Sequence, residues 1–161
     1  MSISAISKIA AASLLSATIS ACGTFTPEYV ACPDISVSGD ADRVYVEGVT
    51  LGQVAQVRFN GISTQCVATS GGHDAEIDVG FLMKRDISKS SLSEEVPLDV
   101  TFAFVDAADQ VISRKVYSFS AFFPSYDAKS RPIFGINTEI PAGTRLVMGL
   151  GKAKDAKTGV E

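Results

Sequence analysis

The nine residues VPLDVTFAF, positions 96–104, constrain the fold more than any other part of this chain. Val96, Leu98, Val100, Phe102 and Phe104 fall on one face of an extended backbone, and Pro97, Asp99, Thr101 and Ala103 fall on the other. Helical spacing would scatter those apolar residues around a cylinder, so the segment is a strand with one buried side. Pro97 cannot donate to a ladder and belongs at the strand's start or along an edge. The same period of two recurs at Val44 and Val46, at Val57 and Phe59, and at Ile77, Val79, Phe81 and Met83.

Turn chemistry separates these runs. SGDAD follows the first short strand and SGGHD precedes the strand at Ile77. DAADQ joins the Phe104 strand to VISRKVYSFSAFF as a hairpin, with Asp106 and Asp109 supplying side-chain turn bonds. Within VISRKVYSFSAFF the apolar phase shifts between Ile112 and Tyr117, which marks a bulge or corner. SRPIFGINTEI and TRLVMGLG give two last strands around Pro141-Ala142-Gly143. KRDISKSSLSEE, residues 84–95, is polar and serine-rich and is expected as an exposed loop; LGQVAQV alone passes for a helical turn. Seven to eight short strands without intervening helices predict an all-β fold. The expected form is an antiparallel sandwich, immunoglobulin-like or fibronectin-like, with a small β-barrel as the alternative.

Chemistry is sparse. His73 is the only histidine, so a Ser–His–Asp or Cys–His site must use it or do without a histidine base. It stands in GGHD, where an exposed turn residue is expected. His73 and Asp74 are the first residues to suspect if the domain holds a small molecule, glycan or metal. No G-x-S-x-G, H-E-x-x-H, phosphate loop or dinucleotide fingerprint occurs, and no serine stands three residues before a lysine. Asp40 and Asp42 alternate as calcium ligands do, but the rest of a calcium loop is missing. Glu94 and Glu95 adjoin in the serine-rich loop without a rigid carboxylate opposite them. A formal net charge of −4 with no basic run excludes nucleic acid as an expected partner. Tyr117, Phe119, Phe122, Phe123 and Tyr126 form an aromatic cluster, mostly core by its strand period. Phe122 and Tyr126 flank Pro124 at the strand's end and are the candidate contact patch.

The N-terminus carries a different signal. Residues 9–19, IAAASLLSATI, are apolar or small throughout and follow Lys8. As a helix they rise only about 16 Å, short of the ~30 Å hydrocarbon core but right for the apolar region of an export signal. Ile19-Ser20-Ala21-Cys22 resembles the lipobox of bacterial lipoproteins. That resemblance implies a signal peptide over residues 1–21 and a diacylglycerol thioether on Cys22, which becomes an acylated mature N-terminus. It implies a covalent lipid; no other cofactor is expected. Gly23 and Thr24 are not the aspartate that retains such proteins in the inner membrane, so the outer membrane facing the periplasm is expected.

With Cys22 assigned to lipid, Cys32 and Cys66 remain as an even pair in an oxidising compartment and are expected to form a disulfide. Two buried free thiols, or half of a metal site, are the alternatives; zinc lacks ligands, and no metal site is expected. The expected organisation is a lipidated N-terminus and tether over 22–32, a β-sandwich over 33–151 and a disordered polar tail over 152–161. The expected role is a non-enzymatic structural or interaction module of the cell envelope. Its partners would be the membrane, through the lipid, and an envelope protein; the alternative is a periplasmic module binding a small molecule, glycan or metal.

Overall fold

The computed structural model describes residues 28–151. The expected signal peptide, Cys22 and the polar tail over 152–161 lie outside the described residues. Ten strands follow in order: β1 (Tyr29–Val30), β2 (Ile35–Val37), β3 (Arg43–Glu47), β4 (Val54–Thr69), β5 (Gly72–Arg85), β6 (Glu94–Val105), β7 (Val111–Phe123), β8 (Lys129–Ser130), β9 (Ile133–Pro141) and β10 (Arg145–Leu150). A single 3-10 turn, Gly39–Ala41, precedes β3. Eight strands have three residues or more, and β1 and β8 are two-residue additions.

Two sheets pack face to face and do not close into a barrel. In the first, β4 and β5 form the central hairpin, β1 and β3 lie along β4, and β8 and β9 lie along β5. The second runs β2-β10-β6-β7. Every pair is antiparallel except β2 with β10, which is parallel. The inward phase of the expected strands forms the core: Val57, Ile77, Val79, Phe81, Met83, Val96, Val100 and Phe102 are wholly buried. Phe119 and Phe134 stack across the two sheets, with ring centroids 4.5 Å apart. Pro97 lies on β6 before its β10 partner begins at Val100, so only β7 runs beside it there. The phase shift in VISRKVYSFSAFF is a bulge: Ser113 opposes Phe104 and Val111 opposes Val105, leaving Ile112 as the extra residue.

Four details differ from the sequence reading. LGQVAQV is not a helical turn, because Ala55 and Val57 point inward and β4 is paired on both sides. Tyr29 and Val30, within the expected tether, form a two-residue strand of the sheet, paired with Val67 and Cys66. The exposed loop expected over 84–95 is shorter, because β5 continues through Arg85 and β6 begins at Glu94. His73 is the second residue of β5 and half-buried, not an exposed turn residue.

Cys32 and Cys66 are disulfide-bonded with Cα atoms 5.2 Å apart. Cys66 is buried in β4, so the bridge fastens the incoming chain to the central hairpin. Chain entry, the β4–β5 turn and the β9–β10 turn gather at one pole, the entry pole. Loops 48–53, 86–93 and 124–128 gather at the other, the far pole. Thirteen residue steps along β4 separate Val67 from Val54, so the poles stand roughly 40 Å apart.

Candidate functional site

The far pole is built around two buried charges, both from the segment expected as an exposed loop. Arg85 continues the inward phase of Phe81 and Met83 and is 7% exposed. Its guanidinium donates to three backbone carbonyls: Leu92 at 2.6 Å, Pro124 at 2.9 Å and Asp127 at 2.9 Å. A longer bond reaches Gln53 Oε1 at 3.4 Å, and Gln53 in turn donates to Ser90 O. The Phe123 ring lies under the guanidinium, 4.9 Å from Cζ to centroid. One side chain therefore ties all three loops together.

Glu94 does the complementary job and is 1% exposed. Its carboxylate accepts from Thr50 N–H at 2.8 Å and from Leu51 N–H at 3.0 Å, holding loop 48–53 down. Gly48 packs so closely on Glu94 that an added Cβ would overlap the carboxylate. Loop 86–93 is also braced at its start, where Asp86 Oδ1 accepts from the Ser88 amide and hydroxyl. Those two donors, the hydroxyl first, hold the Asp86 carboxyl below its ordinary range.

The consequence appears at Tyr126. Arg85 binds the carbonyls of Pro124 and Asp127, on either side of it, and Tyr126 N–H donates to Ser91 O at 2.6 Å. The residue between is driven to φ +67°, a left-handed conformation that costs a bulky residue free energy. Its ring is 76% exposed. The fold therefore spends stability to hold an aromatic ring in water. Around it stand other exposed apolar side chains: Leu92 and Phe122, each 59% exposed, with Val49 and Leu51. Phe122 faces outward on β7 opposite Glu95, and Val49 N–H bonds Glu95 O from the other side, so the two flank the same point of β6. A cleft of about 330 Å³ separates Leu51–Val54 from Asp86, Lys89 and Ser90.

The structure does not bring the residues suspected for ligand binding together. His73 and Asp74 are consecutive on β5 and point to opposite faces. Asp74 lines an open depression of about 460 Å³ with Tyr29, Glu76 and Glu139 on the outer face. His73 Nδ1 is buried without a hydrogen-bond partner among the described residues. Asp40 lies in the 3-10 turn, and Asp42 accepts a bond from its neighbour Arg43. Glu94 and Glu95 occupy opposite faces of β6: the first is buried, and the second accepts from Ser120 Oγ. Among the described residues no group of three or more histidine, cysteine or acidic side chains is arranged to hold a metal.

No protein-family profile, curated protein or solved structure matches this chain.

Proposed function

We propose that this protein is a non-enzymatic, lipid-anchored module of the cell envelope that docks another envelope protein through its far pole. Tyr126 carries the reading: an exposed aromatic ring held in a left-handed backbone by a buried arginine makes sense when that ring meets a partner. Aromatic anchors on preorganised loops lose little conformational entropy on binding, which is why a few such residues dominate interface energetics. Phe122, Leu92, Val49 and Leu51 supply the apolar surround. The lipobox resemblance at Cys22 supplies the anchor, and the chain enters the sandwich at the opposite pole. A membrane-held domain would then present Tyr126 away from the bilayer, at the end of a rigid body roughly 40 Å long.

The test is photocrosslinking in cells that export the full-length protein. A photoreactive residue at position 122 or 126 is expected to yield a discrete adduct with one envelope protein. The same group at exposed Ala68, on the entry pole, is expected not to do so. No adduct from the far pole, or the same adduct from Ala68, would refute this assignment of the surface.

A further inference from the structure

The edges of the two sheets differ in kind. β1 and β8 have two residues each, β2 has three and β3 five, and β9 carries Gly135 and Pro141. Short, interrupted edges of this sort resist pairing with other chains. β7 does not follow the pattern. It runs for 13 residues at the end of the second sheet with β6 on one side, and among the described residues no strand pairs with its other side, where β8 touches only the far end through Ser130 Oγ donating to Phe122 O. After the bulge at Ile112 it contains neither proline nor glycine. Val111, Ile112 and Val116 are exposed along it.

Its charge is equally distinct. The chain carries a net charge of −4, yet β7 has two cations, Arg114 and Lys115, and no carboxylate. Arg114 is exposed on the outer face. Lys115, also exposed, stands in the inward phase at the sheet's edge, with Nζ 3.3 Å from Thr138 Oγ1 on β9 and 5.5 Å from the Phe104 ring centroid. Neither cation is paired with a carboxylate among the described ion pairs. An inward lysine is a familiar guard against indiscriminate pairing, and here it also sets a condition on any strand that does pair.

We propose that β7 is a strand-addition site for an extended acidic segment of a partner protein. Consecutive acidic residues opposite Arg114 and Lys115 would place one carboxylate on each face, and β-branched residues would cover Ile112 and Val116. The same charges argue against the other occupants. A second copy's β7 would bring its own Arg114 and Lys115 against these. Residues 152–161 contain three lysines, one aspartate and one glutamate, so this tail lacks the adjacent pair of carboxylates that Arg114 and Lys115 would take. The proposal stands whether or not the far pole docks a partner.

The probe is a terminally blocked heptapeptide, Thr-Thr-Val-Glu-Glu-Thr-Val, titrated into the isotopically labelled full chain in detergent. Backbone amide shifts confined to β7 and its β6 neighbours are expected, together with slowed exchange of β7 amides. A Lys-Lys version is expected to bind at least about tenfold more weakly, and Arg114→Glu to narrow or reverse that preference without moving the unfolding midpoint. Raising the salt is expected to weaken the acidic peptide selectively. Absence of β7 shifts, shifts centred elsewhere, or equal binding of both peptides would overturn the proposal. So would protection, in the free protein, of the β7 amides that point away from β6, whether through dimer formation or through the chain's own tail.

Discussion

Replacing Arg85 with methionine removes the link among the three far-pole loops while leaving a side chain of similar length in its apolar channel. The guanidinium makes three short bonds to the carbonyls of Leu92, Pro124 and Asp127. Charged hydrogen bonds contribute about 1.5–3 kcal/mol each, so the gross loss approaches 5–9 kcal/mol. Two effects reduce it. The native state no longer carries the several-kcal/mol desolvation penalty of a buried guanidinium. The three carbonyls also lie in surface loops, where water can take over some of the bonding. A net loss of about 3 kcal/mol follows. For the roughly 120 residues of the sandwich the unfolding entropy is about 0.25 kcal/mol/K, so the midpoint should fall by about 12 °C.

Urea and thermal unfolding measure the magnitude, and amide hydrogen exchange tests the cause. In Arg85→Met, residues 48–53, 86–93 and 124–128 should lose protection while the centres of β4, β5 and β6 keep theirs relative to global stability. Arg85→Lys keeps the charge but not the fork, and should recover only part of the loss. A destabilisation below about 1 kcal/mol, or a uniform loss of protection without preference for those loops, would refute the claim that Arg85 pins the pole.

The disulfide closes a loop of 34 residues, which chain entropy values at about 3.8 kcal/mol; Cys32→Ser with Cys66→Ser should therefore lower the thermal midpoint by about 15 °C. A shift of only a few degrees would show that β1 and β2 hold the entry pole unaided. Gly48→Ala places a methyl group on the Glu94 carboxylate and should cost about 2 kcal/mol in urea unfolding, whereas Gly39→Ala, whose Cβ meets nothing within 4 Å, should cost far less. Cys22→Ser should abolish fatty-acid labelling and leave an uncleaved or soluble form; persistent labelling would overturn the lipobox reading.

The sandwich was legible because one-sided burial writes itself into the sequence with a period of two, and the wholly buried residues of β5 and β6 are the ones that period selects. The disulfide was legible only once Cys22 had been set aside. The two-residue strands β1 and β8 were not, since a pair of bridges leaves no period to read. The parallel seating of β2 on β10 was hidden too, because nothing in ISV distinguishes one partner direction from the other.

The far pole was missed for a more instructive reason. By composition Arg85 and Glu94 belong to a hydrophilic run, although both stand in phase with the apolar face of their strands. Arg85 is two residues beyond Met83 and four beyond Phe81, and Glu94 is two before Val96 and four before Leu98. Extending each alternation by one step puts a charge into the core position. A charge there must find partners or cost several kcal/mol, and at a strand's end the available partners are the unpaired backbone groups of neighbouring loops. That is how both are satisfied: Arg85 by loop carbonyls, Glu94 by loop amides. A charged residue at the inward phase just past an apolar run thus signals that the loops around it are held rather than free. Among the described residues the two charges that are buried, Arg85 and Glu94, both lie at the pole that exposes Phe122, Tyr126 and Leu92. The same two residues that interrupt the hydrophobic pattern fix the shape of the surface proposed to dock a partner.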